Sequence, residues 1–490
     1  MIMIIVNNGI YRISDFQLLS IPSLTIKQGE NWAFIGRNGS GKSSLAKALI
    51  GELILQQGQQ INQFKSIAYL SLERLQKWID QEWQYNNTDL YLEGEGNHGR
   101  KVIDIIQDSI IDIDRCRLLA KQFGIEDLLD RHFKYLSTGE MRKVLLCRLF
   151  MLPADLFVFD EPFDGLDALS RKQLTMILAN FAKKGITTIL ILNRFSDIPQ
   201  FVQYLGILRD KQLVECGLKP SMLEDKMIKP SLNPALSSVN QLPLLDEEMI
   251  QLDDDVPRII LNQGYVHYNG KAIIDGLNWR VEAGQHWQII GPNGAGKSTL
   301  LSLVTGDHPQ GYSNDLTLFG RKRGSGETIW EIKRHIGYVS HQLHLDYRVS
   351  SSVREVLISG YMDSIGIYTT ISDRQYTLAN QWLKLLNLLD KAEQPFSALS
   401  WGQQRLLLIT RALVKHPTLL ILDEPLQGLD QNSRDLIKSW IDFVMAAGHS
   451  QLLFVSHYED DAPSCITHRL IFVPTKANNY QYKNEILAKD

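Results

Sequence analysis

The sequence predicts an α/β protein in which one strand–loop–helix domain occurs twice, and three observations carry that expectation. Gly36-Arg-Asn-Gly-Ser-Gly-Lys42-Ser43 and Gly291-Pro-Asn-Gly-Ala-Gly-Lys297-Ser298 both fit the pattern G-x-x-x-x-G-K-[ST]. Each follows an apolar run that reads as a buried strand, Trp32-Ala-Phe-Ile35 or Trp287-Gln-Ile-Ile290, and each opens a helical one, Ser44 to Ile50 or Thr299 to Val304. The halves also align without a gap from Asn8-Gly9 and Gln263-Gly264 through both loops, while Asp160-Glu161-Pro162 meets Asp423-Glu424-Pro425 after a few extra residues in the second half. The repeat is therefore a whole domain rather than a short solenoid period, and the extra residues belong in surface loops.

Bulk composition agrees with this organisation. A chain of 490 residues exceeds a single core and suits two domains of about 200 to 240 residues. We read residues 1–217 as the first domain, 218–256 as a linker and 257–490 as the second. The linker carries Pro220, Pro230, Pro234 and Pro243, then Asp246-Glu-Glu and Asp253-Asp-Asp255, a composition that suits a tether. A net charge of −4 gives no general attraction to nucleic acid, so a nucleic-acid partner is not expected. Cys116, Cys147, Cys216 and Cys465 lie far apart without C-x-x-C spacing, which suits small buried hydrophobes in a reducing cytoplasm. No run of eighteen apolar residues is present, and the apolar start Met1 to Val6 reads as a first strand rather than a leader.

The loops bind phosphate for a steric reason. Gly36, Gly39 and Gly41, like Gly291, Gly294 and Gly296, let consecutive backbone N–H groups turn inward with no Cβ in the way, and the next helix adds its positive end. Asn38, Ser40 and Ser44, with Asn293, Ala295 and Thr299, complete the two cradles. Lys42 and Lys297 reach the β and γ phosphates, while the Ser43 and Ser298 hydroxyls ligate Mg²⁺. Both sites therefore expect ATP with Mg²⁺.

Two further patterns accompany each loop. Leu156-Phe-Val-Phe and Leu419-Leu-Ile-Leu end in acid pairs, where Asp160 and Asp423 suit Mg²⁺ and Glu161 and Glu424 suit polarisation of the attacking water. Upstream stand Leu136-Ser137-Thr138-Gly139-Glu140 and Leu399-Ser400-Trp401-Gly402-Gln403, helix starts that present free N–H groups to an anion.

The order of loop, Leu-Ser-x-Gly, acid pair and Gly-Leu-Asp (Gly165 to Asp167, Gly428 to Asp430) resembles the ATP-binding cassette (ABC) ATPases, twice over and along nearly the whole chain. The resemblance implies two P-loop NTPase domains, each with a RecA-like core, an antiparallel β part and a helical subdomain. It also implies hydrolysis of ATP and intramolecular pairing of the cassettes head to tail. Each ATP then lies between one copy's loop and the other's Ser137–Gly139 or Ser400–Gly402 turn. Stretches such as Gly306 to Asp315 and Ser359 to Gly366 resemble, more narrowly, bacterial tandem cassettes associated with molybdenum transport.

The family pattern also separates the two sites. It implies a histidine beside the γ phosphate after the next strand, and His457 fits, whereas the first half has Asn193. A metal-reaching glutamine is implied after Ile336-Gly-Tyr-Val339; His341 occupies the usual spacing and Gln342 falls one later, so we assign Gln342, with Glu73 as its counterpart. Adenine stacking falls to Tyr268; the matching position is Ile13, and Tyr11 offers a substitute. Catalysis is thus assigned to Glu424 and His457, with Glu161 in a slower first site. The resemblance implies an integral membrane transporter subunit as partner, engaged through the helical regions near 74–130 and 343–395, and a place in the cytoplasm or on the inner face of the bacterial inner membrane. A tandem cassette working on a cytoplasmic partner is the alternative. A ribosome-bound factor is disfavoured, because the linker is short and acidic.

Overall fold

The computed structural model describes residues 2–86, 99–136, 138–220, 242–243, 252–268, 271–347, 350–475 and 480–487. The chain divides into two compact units, Met1–Lys229 and Pro230–Asp490.

In the first unit, long strands β1 (Met3–Ser14) and β2 (Gln17–Lys27) form an antiparallel hairpin, to which β4 (Ile54–Asn62) adds. The remaining strands are β3 (Asn31–Gly36), β5 (Ile67–Leu70), β6 (Leu156–Asp160), β7 (Thr187–Leu192), β8 (Tyr204–Arg209) and β9 (Gln212–Leu218). All nine join one sheet in the order β4-β1-β2-β9-β8-β3-β7-β6-β5. Strands β8, β3, β7, β6 and β5 run parallel, and their near-continuous burial explains why they read as unbroken apolar runs rather than alternating ones.

The second unit repeats this core with a divided sheet. Strands β10 (Ile259–Tyr268), β11 (Lys271–Val281), β13 (Asp315–Leu318) and β14 (Arg321–Lys322) form an antiparallel layer. Strands β12 (Trp287–Ile290), β15 (Ile336–Ser340), β16 (Leu419–Asp423), β17 (Gln451–Ser456), β18 (His468–Pro474) and β19 (Tyr480–Ile486) form the other, in the order β15-β16-β17-β12-β18-β19. In both units the loop-bearing strand, β3 or β12, therefore lies next to β7 or β17, which in turn lies next to the acid-bearing strand, β6 or β16. That order brings three distant motifs to one sheet edge.

Each unit packs two apolar clusters, one on either face of its core sheet. The helical part holds Leu72–Asn86, Val102–Ile106 and Ile113–Phe123 in the first unit, and His341–Asp346, Val353–Ile358 and Asp373–Leu385 in the second. Its helices start where the sequence supplies acceptors for free N–H groups: Ser352, Ser372 and Ser400 each form a reciprocal capping box with the residue three positions on. Among the described residues, no helix is long and apolar enough to cross a membrane. Cys116 and Cys147 are buried as expected, but Cys216 is exposed and Cys465 partly so.

Most of the 218–256 stretch lies outside the described residues. Its described parts do more than tether: Leu242, 5% exposed, belongs to the second unit's core, and Pro243 accepts a 2.8 Å hydrogen bond from His416 Nε2. Further on, the Arg258 guanidinium donates to the carbonyls of Asp253 and Val256, at 3.0 and 2.7 Å. Leu242→Ala is expected to remove about 2–3 kcal/mol from the second unit, as a buried leucine truncation does, and to lower its denaturant midpoint; an unchanged midpoint would show that the segment is not anchored.

His335 and His344 are buried and pushed down to about 4, first by burial and then by neighbouring arginines, Arg334 for His335 and Arg405 for His344. The unfolded chain takes up protons near pH 6.5 and the folded one does not, so stability is full above that value and falls as pH drops toward 4. The melting temperature of the second unit should decline from pH 7 to pH 5, and the double variant His335→Gln/His344→Gln should flatten that decline.

Candidate nucleotide sites

The two loops are nearly superimposable in their chemistry. Gly39 and Gly41 have φ of 78° and 93°, and Gly294 and Gly296 have 76° and 95°, values in the left-handed region that a side chain would resist. Gly41 and Gly296 precede the helices Lys42–Leu49 and Lys297–Val304, neither of which has a side-chain N-cap. With no side chain capping it, each helix start can face an anion. Lys42 Nζ donates to Gly36 O at 2.8 Å and Arg37 O at 3.0 Å; Lys297 Nζ donates to Gly291 O at 2.8 Å and Pro292 O at 2.9 Å. Both ammonium groups are therefore held inside their own loops, with the lysines 5% and 6% exposed.

The acid pairs face these lysines. Asp160 is 6% exposed and accepts from Tyr69 Oη at 3.4 Å, and Ser43 also bonds its carboxyl. Its Oδ1 is buried without a protein partner. A buried carboxylate oxygen beside a serine hydroxyl is the donor set a hard cation takes, so Ser43 and Asp160 fit Mg²⁺ in the first site. Asp423 occupies the same place in the second site, with Tyr338 on the neighbouring strand; burial and the adjacent Glu424 push it up to about 6. Tyr69 and Tyr338 were not foreseen. They stand at matching positions of Ile-Ala-Tyr-Leu-Ser71 and Ile-Gly-Tyr-Val-Ser340, so the internal repeat held the signal.

Glu161 and Glu424 adopt φ of 53° and 50°, a conformation that costs a non-glycine residue about 1–3 kcal/mol and is sustained only where its surroundings demand it. Their N–H groups donate to Ile191 O and Val455 O on the adjacent strand, fixing both turns. Their electrostatics differ. Burial first, then Asp164 and Asp160, push Glu161 up to about 7, against the pull of Lys42 and a hydrogen bond from Asn193. For Glu424 burial is likewise the largest influence and raises it, but His457, Lys297 and His341 together hold it below the usual carboxylate value. His457 Nε2 lies 2.7 Å from Glu424 Oε1, poorly aligned for a directed hydrogen bond. The two acids are thus shifted in opposite directions, Glu161 upward and Glu424 downward.

The Leu-Ser-x-Gly turns are visible in part. Ser400 caps the helix Trp401–Leu413, and Gly402 permits close approach of the helix Gln431–Ala446, because a Cβ there would lie 2.4 Å from Ser433 Oγ. Gly139 lies in the first turn of the helix Thr138–Met151, and Ser137 lies outside the described residues.

Two sequence assignments need correction. Gln342 is exposed and donates to Asp346 Oδ2 at 2.8 Å, along its own helix. Ser340 caps that helix, so His341 takes the first helical position, beside the Glu424 turn, and Gln342 is rotated away from the acid. Tyr11 cannot take up the stacking role either: it is fully buried, and its hydroxyl donates to Gln60 Oε1 at 3.0 Å. Tyr268 is half exposed at the end of β10, with its hydroxyl 2.6 Å from His308 Nε2. Glu73 pairs with Lys47 at 2.9 Å.

The model of the ABC transporter family matches residues 19–164 and 274–427. The chain is 58% identical over 470 residues to the ABC transporter ATP-binding protein ModF of Escherichia coli (strain K12), covering 95% of this chain and 96% of that protein. It is 25% identical over 482 residues to an uncharacterized ABC transporter ATP-binding protein of Schizosaccharomyces pombe, covering 93% and 94%. Among solved structures, the complex of an archaeal ribosomal stalk protein with the ribosome recycling factor aABCE1 shares the fold with a TM-score of 0.61 at 17% identity, covering 97% of this chain and 89% of that one. With both loops, both acid pairs and the matching sheet order in place, the chain belongs to the ABC transporter family as a tandem ATP-binding protein.

Proposed function

We propose that the chain is the ATP-hydrolysing subunit of a bacterial transport system, in which two cassettes bind two ATP with Mg²⁺ and close head to tail. The observation that carries hydrolysis is the Glu424 carboxylate 2.7 Å from His457 Nε2, at the end of the strand one removed from that bearing the Lys297 loop. Lys42 and Lys297, with the loop N–H groups, bind the β and γ phosphates and orient them. Ser43 and Asp160, or Ser298 and Asp423, would hold Mg²⁺, which would neutralise phosphate charge. Glu424 accepts the proton of the attacking water, and His457 holds that water's geometry and donates toward the γ phosphate. Asn193 stands in the first site where the second has His457, and it cannot become a cation beside the γ phosphate, so the first site chiefly retains ATP. Tyr268 stacks on adenine, and Ser137–Gly139 and Ser400–Gly402 complete the opposite cassette's site.

Support for the transport role is the 58% identity to a protein described as an ABC transporter ATP-binding protein. The membrane subunit would dock on the helical parts, leaving the chain peripheral on the cytoplasmic face. A molybdate link rests on the narrower sequence resemblance alone. One observation favours a second reading, action on a cytoplasmic partner without a membrane subunit: His341 occupies the place from which the family's glutamine couples to a membrane protein.

Steady-state ATP turnover tests the division of labour. Glu424→Gln is expected to lower the rate about 10-fold or more, the scale of a lost general base, and Glu161→Gln about 3-fold or less. Equal losses would contradict the assignment. For the partner, retention in a salt-washed membrane pellet supports the transport reading, and recovery only in the supernatant with a co-purified cytoplasmic protein supports the second.

A further inference from the structure

One arginine stands at the same place in both Leu-Ser-x-Gly helices and is used differently. Arg142 and Arg405 lie three residues after Gly139 and Gly402. In the first cassette, Arg142 is partly buried, and its guanidinium donates to Asp164 O, to Pro162 O at 3.2 Å and to Glu161 O at 3.4 Å. It thereby grips the backbone of the turn that carries the hydrolytic acid, whose own closure is the 3.2 Å bond from Asp164 N to Glu161 O. In the second cassette the turn closes alike, with Gln427 N donating to Glu424 O at 3.2 Å. Arg405 is fully buried, and its Nη2 meets His341 Nδ1 at 2.8 Å; His341 follows Ser340, which pairs with Asp423 across β15 and β16, so it stands beside the Glu424 turn.

The sequence explains the divergence. His341 corresponds to Leu72, which offers no acceptor, and Gln427 corresponds to Asp164, a carboxylate that attracts a guanidinium. A buried arginine must find acceptors, and each cassette supplies a different set.

We propose that Arg142 and Arg405 are positioning residues that couple the Leu-Ser-x-Gly helix to the hydrolytic acid of the same cassette, directly through the Glu161 turn in the first and through His341 in the second. This rests on the hydrolytic roles given above to Glu161 and Glu424. A shift of the helix then moves the Glu161 backbone as one body with it, whereas in the second cassette it moves the His341 ring beside Glu424. The first acid is tied to the helix mechanically, and the second through a side chain.

The test uses the full chain in two backgrounds. With Glu161→Gln silencing the first site, Arg405→Met and His341→Leu should each lower kcat about tenfold with KM for ATP changed less than twofold, as loss of positioning does. The double variant should be no slower than either single one. With Glu424→Gln silencing the second site, Arg142→Met should lower the residual kcat similarly, Arg142→Lys should restore part of it, and His341→Leu should have no effect. Additive losses in the pair, or a fall in kcat matched by an equal rise in KM, would overturn the proposal. A readout that needs no turnover accompanies these: amide hydrogen exchange at Asp164 and Leu166 should quicken in Arg142→Met, while exchange at Gln427 should not change in Arg405→Met. Identical exchange in Arg142→Met and the parent would overturn it. A parent chain that hydrolyses no ATP would instead count against the function proposed above, leaving the exchange result to decide this coupling.

Discussion

Both sites depend on burying a lysine ammonium beside a pair of carboxylates at the end of a parallel sheet. Lys42 and Lys297 are almost fully enclosed, and each is held by the first carbonyls of its own loop. An enclosed ammonium is tolerable only with acceptors and counter-charge close by, and the acid pair supplies the charge. The same arrangement raises the acids, since burial outweighs the attraction at Asp160, Glu161 and Asp423. Only Glu424 is lowered, with His457 and His341 beside it, where the first cassette has Asn193 and Leu72. The asymmetry between the cassettes therefore arises from a few side chains around a backbone that is otherwise repeated.

That backbone is conserved between the halves down to unfavourable detail. Glu161 and Glu424 share a left-handed conformation, as do Asn8 and Gln263 at the aligned position of the first strand of each unit. A residue other than glycine keeps such a conformation only when the fold imposes it. The copies diverge instead in the antiparallel part, which merges with the core into one sheet in the first unit and forms a separate layer in the second.

The sequence made the core legible because its motifs are backbone devices. Glycines at positive φ, an apolar run before each loop and an acid pair at a strand end can be read from residue type and spacing. Less legible were features that depend on where a side chain turns. Gln342 and His341 are adjacent on a helix, and only the position of the Ser340 cap decides which of them faces Glu424. Tyr11 and Ile13 share a strand face, but burial against Gln60 removes Tyr11 from reach of a ligand. Leu242 sits in a stretch whose prolines and acids suggest a tether, and a single apolar residue docked in a core leaves no periodic signal. Arg142 and Arg405 look alike in sequence, and their partners come from segments far away along the chain.

The central claim is that one cassette holds its triphosphate while the other turns it over. It is tested most directly by incubating the chain with Mg²⁺ and radiolabelled azido-ATP, crosslinking, and identifying the nucleotide on each proteolytic half. The account predicts intact triphosphate on the half containing Lys42 and diphosphate on the half containing Lys297. Diphosphate in equal amounts on both halves would contradict it.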